Sequence, residues 1–353
     1  MFGIDRRAAY YTWTAVLVVL LVWLVYLVRA TLFIFILALL FAYLLAPLVN
    51  LLDRFLPGRR TRTPALALAY ILLVGVVILA GSQIGTRAVD EANNLAKKFP
   101  ELLQRWQTAG GPTATGGGTL QEQILGKLRV GITERSNELI AALPQVGLRA
   151  ITVASNVIYV VIIPILGFFF LKDGRLIRQH VLDLVSDEPR RVLLDDVLAD
   201  VNLLLASYMR ALVLLALSTF TAYGIFFSIL GVPYAVLLAA LAGMLEFIPM
   251  VGTLAASLTI VIVAALEGAY VIAVLIFLLA YRLFQDYVLS PQLMRQGVEL
   301  HPLLVLFGVF AGSEVAGIAG TFLSVPVLAL VRIIYLRIRK TRLGAQFSAV
   351  TRV

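Results

Sequence analysis

Three stretches in the first quarter of the chain, residues 12–28, 31–52 and 65–86, contain no Asp, Glu, Lys or Arg. A helix rises 1.5 Å per residue, so about 20 residues of this kind cross a hydrocarbon core of roughly 30 Å. Composition agrees. Apolar residues make up 61% of the chain and charged residues 14%, with a mean hydropathy of +0.97, whereas a soluble domain is about a quarter charged to wet its surface. The fold class that follows is all-α, a polytopic transmembrane helical protein whose first partner is the lipid bilayer. The first stretch follows Arg6 and Arg7, as a secretory leader would. Its apolar run is too long for a leader, no small-residue cleavage site follows, and a second span begins almost at once, so it reads as a retained helix.

The spans drawn from hydropathy are Tyr11–Val28, Thr31–Leu52, Pro64–Thr86, Leu148–Leu171, Tyr208–Leu230 and Ala269–Tyr287. Two broken apolar stretches, Val232–Leu266 and Pro302–Tyr335, complete the membrane part. Each is short for two crossings plus a turn and long for one. Arg6 and Arg7, then Arg54, Arg59, Arg60 and Arg62, then Arg337, Arg339, Lys340, Arg342 and Arg352 form three basic clusters. All three fall on one side if every drawn span crosses once and each broken stretch returns to the side it left. Lys/Arg asymmetry makes that side cytoplasmic, with both termini on it. The same asymmetry accounts for the net charge of +9 without a nucleic-acid partner. The chain has no cysteine, which excludes disulfides, thiolate metal sites and Cys nucleophiles.

The expected organisation is three N-terminal transmembrane helices (1–86), an extracytoplasmic segment (87–147), a fourth span with cytoplasmic amphipathic helices (148–207), a transport core (208–336) and a basic tail (337–353). In the outer segment Val89, Leu95, Phe99, Leu102 and Trp106 fall near helical spacing, as do Leu120, Ile124, Leu128 and Ile132. Between them the Gly/Thr/Pro-rich run Thr108–Thr119 reads as a linker; it lacks the Lys-Ser/Thr of a phosphate loop. The inner segment Lys172–Ser207, split at Pro189, places Val197, Val201, Leu204 and Tyr208 on one side and Arg191, Asp195, Asp196 and Asp200 away from it. Such a helix lies along headgroups or packs on a neighbouring subunit; the membrane surface is the expected partner.

A unit of one span plus one broken stretch occurs twice in opposite senses: Tyr208–Leu230 with Val232–Leu266, and Ala269–Tyr287 with Pro302–Tyr335. Each broken stretch opens near a Pro (Pro233, Pro302), passes a patch of small residues and reaches a lone carboxylate, Glu246 or Glu314. Non-helical backbone at membrane depth is tolerated where it is buried in protein or lines water, and paired interrupted segments point to a transporter's site. The breaks are Pro249 and Gly252 in the first stretch, and Gly312, Gly317, Gly320 and Pro326 in the second. The expectation is an inverted repeat with two broken, re-entrant helical hairpins. The competing reading is that these Gly and Pro residues serve close packing and kinks in ordinary crossings.

An ionisable group inside an apolar run costs roughly 2.5–3.5 kcal/mol on insertion scales, which marks it as a functional candidate. Glu246 and Glu314 sit at the two expected hairpin tips, where a carboxylate would carry a proton or grip a cation; the alternative is that each caps a broken helix end. Arg282, Gln285 and Asp286 share one helix face at spacing i, i+3, i+4, with Asp286 either the internal counter-charge of Arg282 or a solvated interfacial group. Glu267 reads as interfacial, and His180 and His301 as loop residues without metal-ligand spacing. Asn156, Tyr159 and Pro164 in the fourth span either line a pathway or serve helix packing. No hydrolase elbow, zinc motif, dinucleotide fingerprint or phosphate loop occurs, so neither an enzyme nor a bound cofactor is expected beyond coupling to H+ or Na+.

Several words occur in a telling order: PILGFFFLKDG at 164–174, GMLEFIPMVG at 243–252, DYVLSPQLM at 286–294, ELHP at 299–302, and the glycines 312, 317 and 320 ahead of Val325-Pro326. The set resembles the autoinducer-2 exporter (AI-2E) family of bacterial permeases over nearly the whole chain. That resemblance implies an inner-membrane permease, assembled as a homo-oligomer, moving a small polar solute with autoinducer-2 export the namesake. Some relatives look like sodium/proton antiporters. The family's words fall on Glu246, Pro249, His301 and Pro302; where members often carry Tyr after that first Pro, this chain has Met250. Three activities follow as expectations: export of a small polar solute through a site between the hairpins, sodium/proton exchange at the same carboxylates, or an oligomeric channel or scaffold.

Overall fold

The structure, a computed structural model, describes residues 6–55, 62–108, 158–267, 270–293 and 300–350. Among them the regular elements are all helical. They are α1 (Arg6–Leu27), α2 (Arg29–Phe55), α3 (Thr63–Ala80), α4 (Thr86–Thr108), α5 (Ile163–Asp183), α6 (Glu188–Leu230), α7 (Ala235–Leu245), α8 (Val251–Leu266), α9 (Val271–Phe284) and α10 (Pro302–Val350). A π-turn at Gln285–Leu289 and a last turn at Ser290–Leu293 extend α9. Six helices among the described residues are long and apolar enough to cross a membrane, and the chain is a polytopic helical membrane protein. The expected linker beyond Thr108, the helical pattern at Leu120–Ile132 and Asn156 lie outside the described residues.

The joints differ from the drawn spans. Between α1 and α2 helical hydrogen bonds run through the joint, Val28 N–H to Leu24 O and Leu32 N–H to Val28 O, both 3.0 Å. The two helices therefore meet at Val28 rather than packing along one another, and α1 is exposed on every side. The third span also runs on without a loop, through a π-turn at Gly81–Gly85 into α4. On the other side of the chain, the inner amphipathic segment and the fifth span are one 43-residue helix, α6, about 65 Å long. Pro189 stands at its first turn, where a missing N–H costs nothing. The apolar side of its first half does not rest on headgroups, as the sequence led us to expect. Val197, Val201, Leu204 and Tyr208 pack with Leu40 of α2 and Leu323, Ala329 and Ile333 of α10. Across that packing Arg337 donates to Asp200 (2.6 Å) and Asp196 (2.8 Å), pinning α10 to α6. That side of α6 is covered by its own chain.

Both broken stretches are helical hairpins. The arms of the first, α7 and α8, have 11 and 16 residues, or about 16 and 24 Å, each less than the roughly 30 Å of hydrocarbon. The turn 246–250 joins them, and Met250 there sits at φ 61°, ψ −55°, a conformation a β-carbon disfavours. Gly252 closes the turn: a side chain there would run into the Leu245 carbonyl, so only hydrogen fits. In the second hairpin α10 is interrupted at Ala316 (φ −144°) and Gly317 (φ 59°, ψ −140°). Gly312 and Gly320 meet backbone to backbone across this break, and Gly308 lies against Leu328 and Ser324. Residues eight apart in an unbroken helix would be about 12 Å apart along the axis. Their contact means that the chain folds back at 316–317, so small residues serve close approach and the break together.

The largest core lies around the first hairpin, where Leu238, Ala239, Ala256, Ile260 and Ala264 meet Tyr223 and Phe227 of α6 and Val274, Leu278 and Tyr281 of α9. Leu95, Phe99 and Leu102 of α4 join it, so α4 folds back onto the hairpin mouth. There the Glu91 carboxylate accepts the Leu237 N–H at 2.7 Å, capping the first turn of α7 from another helix. The Tyr234 hydroxyl donates to Glu267 at 3.1 Å and ties the two ends of the hairpin together.

Candidate functional site

The tip of the first hairpin points at the π-turn of α9, and a cavity of about 400 Å³ opens between them, α6 and the arms of the second hairpin. Glu246, Pro249, Met250 and Thr253 come from the hairpin tip, Arg282, Gln285, Asp286 and Ser290 from α9 and its extension, Ser207 and Tyr208 from α6, and Val305, Val325 and Pro326 from α10. Glu246 is the first residue beyond α7, because the turn toward Pro249 begins there. Its side chain is 8% exposed and accepts a hydrogen bond from the Gln285 amide, itself 4% exposed. Thr219 of α6 and Arg282 lie close enough to act on the same carboxylate.

Arg282 also donates to Asp286 at 2.8 Å, and this pair is about half-exposed. Asp286 is thus a counter-charge of Arg282 inside the cavity mouth. The spacing i, i+3, i+4 brings all three side chains to one wall, and the π-turn, by inserting a residue into the helix, displaces Gln285 and Asp286 relative to the preceding turns. The buried Tyr208 hydroxyl, on the opposite wall, has no hydrogen-bond partner among the described residues. A buried unpaired hydroxyl is costly unless a ligand or water completes it. The cavity therefore offers a carboxylate, an amide, a guanidinium and a free hydroxyl over an apolar floor, a set able to orient a small polar molecule.

Beyond Glu246, toward the hairpin mouth, the way is filled. The Thr219 and Tyr281 hydroxyls lie 3.1 Å apart and Tyr281 donates to Ser218 at 3.2 Å. Tyr281 meets Tyr223 edge-on at 5.1 Å, and Phe226 stacks on Phe277 at 3.9 Å. This aromatic layer separates the cavity from the Glu91 end of the molecule. Tyr208, Ser218, Thr219 and Tyr281 carry no signal in the sequence, since hydroxyls scattered along apolar helices read equally well as helix packing.

The structure does not bring Glu314 to this site. It lies three residues before Gly317, exposed, on the face away from the Gly312–Gly320 contact. Two residues turn a helix by about 200°, so a contact made by Gly312 turns Glu314 outward. Pro249 and Pro326 line the cavity, while Gly252, Gly312, Gly317 and Gly320 shape the hairpins around it. His301 Nδ1 accepts the Leu303 N–H at 3.2 Å, capping α10. Pro164 contributes its carbonyl to the Tyr70 hydroxyl at 2.8 Å, a helix-packing bond between α5 and α3. Among the described residues no group of three His, Cys, Asp or Glu could hold a metal ion.

Two helical hairpins lining one cavity with a few convergent polar groups belong to a multi-pass membrane protein, an arrangement found in transporters. Comparison with known proteins supplies the particular kind. The profile described as "AI-2E family transporter" matches residues 15–340. Three similar proteins are each named a "putative transport protein". MT0215 of Mycobacterium tuberculosis is 29% identical, with 83% of this chain and 79% of that protein covered. YueF of Bacillus subtilis is 25% identical, with 84% and 81% covered. YrrI, also of Bacillus subtilis, is 27% identical over 51% of each chain. The chain belongs to the AI-2E transporter family and is a membrane permease.

Proposed function

We propose that the chain exports a small polar solute of the autoinducer-2 kind, binding it in the Glu246 cavity and exchanging a proton at that carboxylate. The observation that carries this reading is Glu246 itself: a nearly buried acid, at a helix break, on the wall of a polar cavity. Gln285, Tyr208 and Arg282 would orient the solute's hydroxyl and carbonyl groups. The aromatic layer around Tyr281 would be the closed gate, and rocking of the two span-plus-hairpin units would open it. A closed layer on one side favours a gated cycle over an open channel or a scaffold.

Flux into proteoliposomes tests the reading. Glu246→Gln should abolish proton-driven uptake while leaving solute binding measurable; full proton-coupled flux in this variant would overturn the role. A second reading, sodium/proton exchange, draws support from Glu246 and Asp286 facing one cavity. It requires an imposed sodium gradient to move protons with no organic solute present, and fails if none move. The protein would work in the bacterial or archaeal inner membrane as a homo-oligomer, with both termini cytoplasmic. That placement requires the chain to reverse at Val28, where helical hydrogen bonds run straight through in this structure, and a compartment reporter fused ahead of residue 1 checks it.

A further inference from the structure

A second cavity, of about 920 Å³, lies between α2, α5 and α6 at the basic end of the molecule, away from the transport site. Its inner wall is apolar, formed by Leu39, Ala42 and Ala46 of α2 and by Leu198 and Val201 of α6. Its rim is charged. Arg62 is held by Asn50 (2.9 Å) and Asp53 (3.4 Å), and Arg178 by Asp195 (2.7 Å). Lys172 and Arg175, which also line the cavity, have no hydrogen-bond or ion-pair partner among the described residues. Among the described residues the one acid that lines the cavity is Asp173. Four cations thus line it, two of them committed to Asp53 and Asp195 beside it, and the two uncommitted cations lie within one turn of α5.

We propose that this cavity is a binding site for an anionic phospholipid, its phosphate held by Lys172 and Arg175 and its acyl chain laid along the α2–α6 wall. The argument is complementarity of two kinds. A free anion would use the rim but gain nothing from the apolar wall, and a neutral lipid would use the wall but leave the cations unpaired. An anionic amphiphile satisfies both. Basic pockets between membrane helices on the Lys/Arg-rich side hold such headgroups, and a phosphate accepts several charge-assisted hydrogen bonds. The site has a consequence for the transport cavity. Along α6, Val201, Asn202, Leu205 and Ala206 face the lipid cavity, and Leu204, Ser207 and Tyr208 face the Glu246 cavity, so one helix forms a wall of both. A lipid seated here would fix the position of the Tyr208 wall.

The full-length protein in a neutral detergent tests the proposal. Phosphatidylglycerol, phosphatidylcholine of the same acyl chains, and inorganic phosphate are added separately, with native mass spectrometry and thermal unfolding as readouts. Phosphatidylglycerol should stay bound and raise the unfolding midpoint by several degrees, and the other two should not. Lys172→Ala/Arg175→Ala should weaken its binding roughly thirtyfold, taking each cation near an anionic headgroup at its usual worth. Ala46→Phe, which fills the apolar wall without changing charge, should weaken it as well, and Arg190→Ala, an exposed cation elsewhere, should not. Undiminished phosphatidylglycerol binding in both cavity variants overturns the site. An equal shift with inorganic phosphate overturns the lipid in favour of a free anion, and an equal shift with phosphatidylcholine overturns the role of charge.

Discussion

Gln285→Leu removes the donor that faces the Glu246 carboxylate while keeping a side chain of similar size. Glu246 and Gln285 are 8% and 4% exposed, so water does not step into the amide's place. A hydrogen bond to an ionised group contributes about 1.5–3 kcal/mol, and a buried acceptor left bare adds its own desolvation cost. Thr219 and Arg282 stay beside the carboxylate and recover part of this. The expected net loss is about 2 kcal/mol. Glu246→Gln exchanges a charge-assisted bond for a neutral one and should cost about 1 kcal/mol. Each single change removes the charge-assisted bond, so the double variant should fall short of the sum by about 1 kcal/mol. Thermal unfolding of the purified protein reads the cycle, with 1 kcal/mol moving the midpoint by roughly 2–4 °C. Losses that add to within about 0.5 kcal/mol would mean that the two side chains do not interact, and the cavity wall as described would be wrong.

Glu314→Gln should leave both unfolding temperature and solute flux near wild type, because that carboxylate is exposed and outside the cavity; a loss of flux comparable to Glu246→Gln refutes this. Tyr281→Phe removes the hydroxyl bonded to Thr219 and Ser218, and should cost about 1–2 kcal/mol of stability and raise passive leak of the solute through liposomes. Gly312→Val drives a side chain into the Gly320 backbone; overpacking of this kind costs about 1–3 kcal/mol, read as a lowered unfolding midpoint. Arg282→Ala breaks a half-exposed pair with Asp286 and removes a cation near Glu246, which keeps its Gln285 bond, so stability should fall by about 1 kcal/mol or less while the apparent solute affinity falls, measured as a raised KM for uptake.

Membrane insertion, helical class and the two interruptions were legible in one dimension, since hydropathy length and the positions of Pro249, Gly252 and Gly317 are local properties of the chain. Lipid demands that each span satisfy its own backbone, so the sequence of a span already states its conformation. The clustering of Arg282, Gln285 and Asp286 was local too, being one face of one helix. Which carboxylate would meet that face was not. Glu246 and Glu314 look alike as words, each a lone acid near a break, and only packing separates them: the α7–α8 turn points at α9, whereas the Gly312–Gly320 contact turns Glu314 away. The continuity of α6 through Ser207 and Tyr208, the aromatic layer around Tyr281 and the unpaired Tyr208 hydroxyl all depend on what a neighbouring helix places opposite. Such contacts join residues distant in the chain, and no pattern along the chain records them; tertiary structure alone decided them.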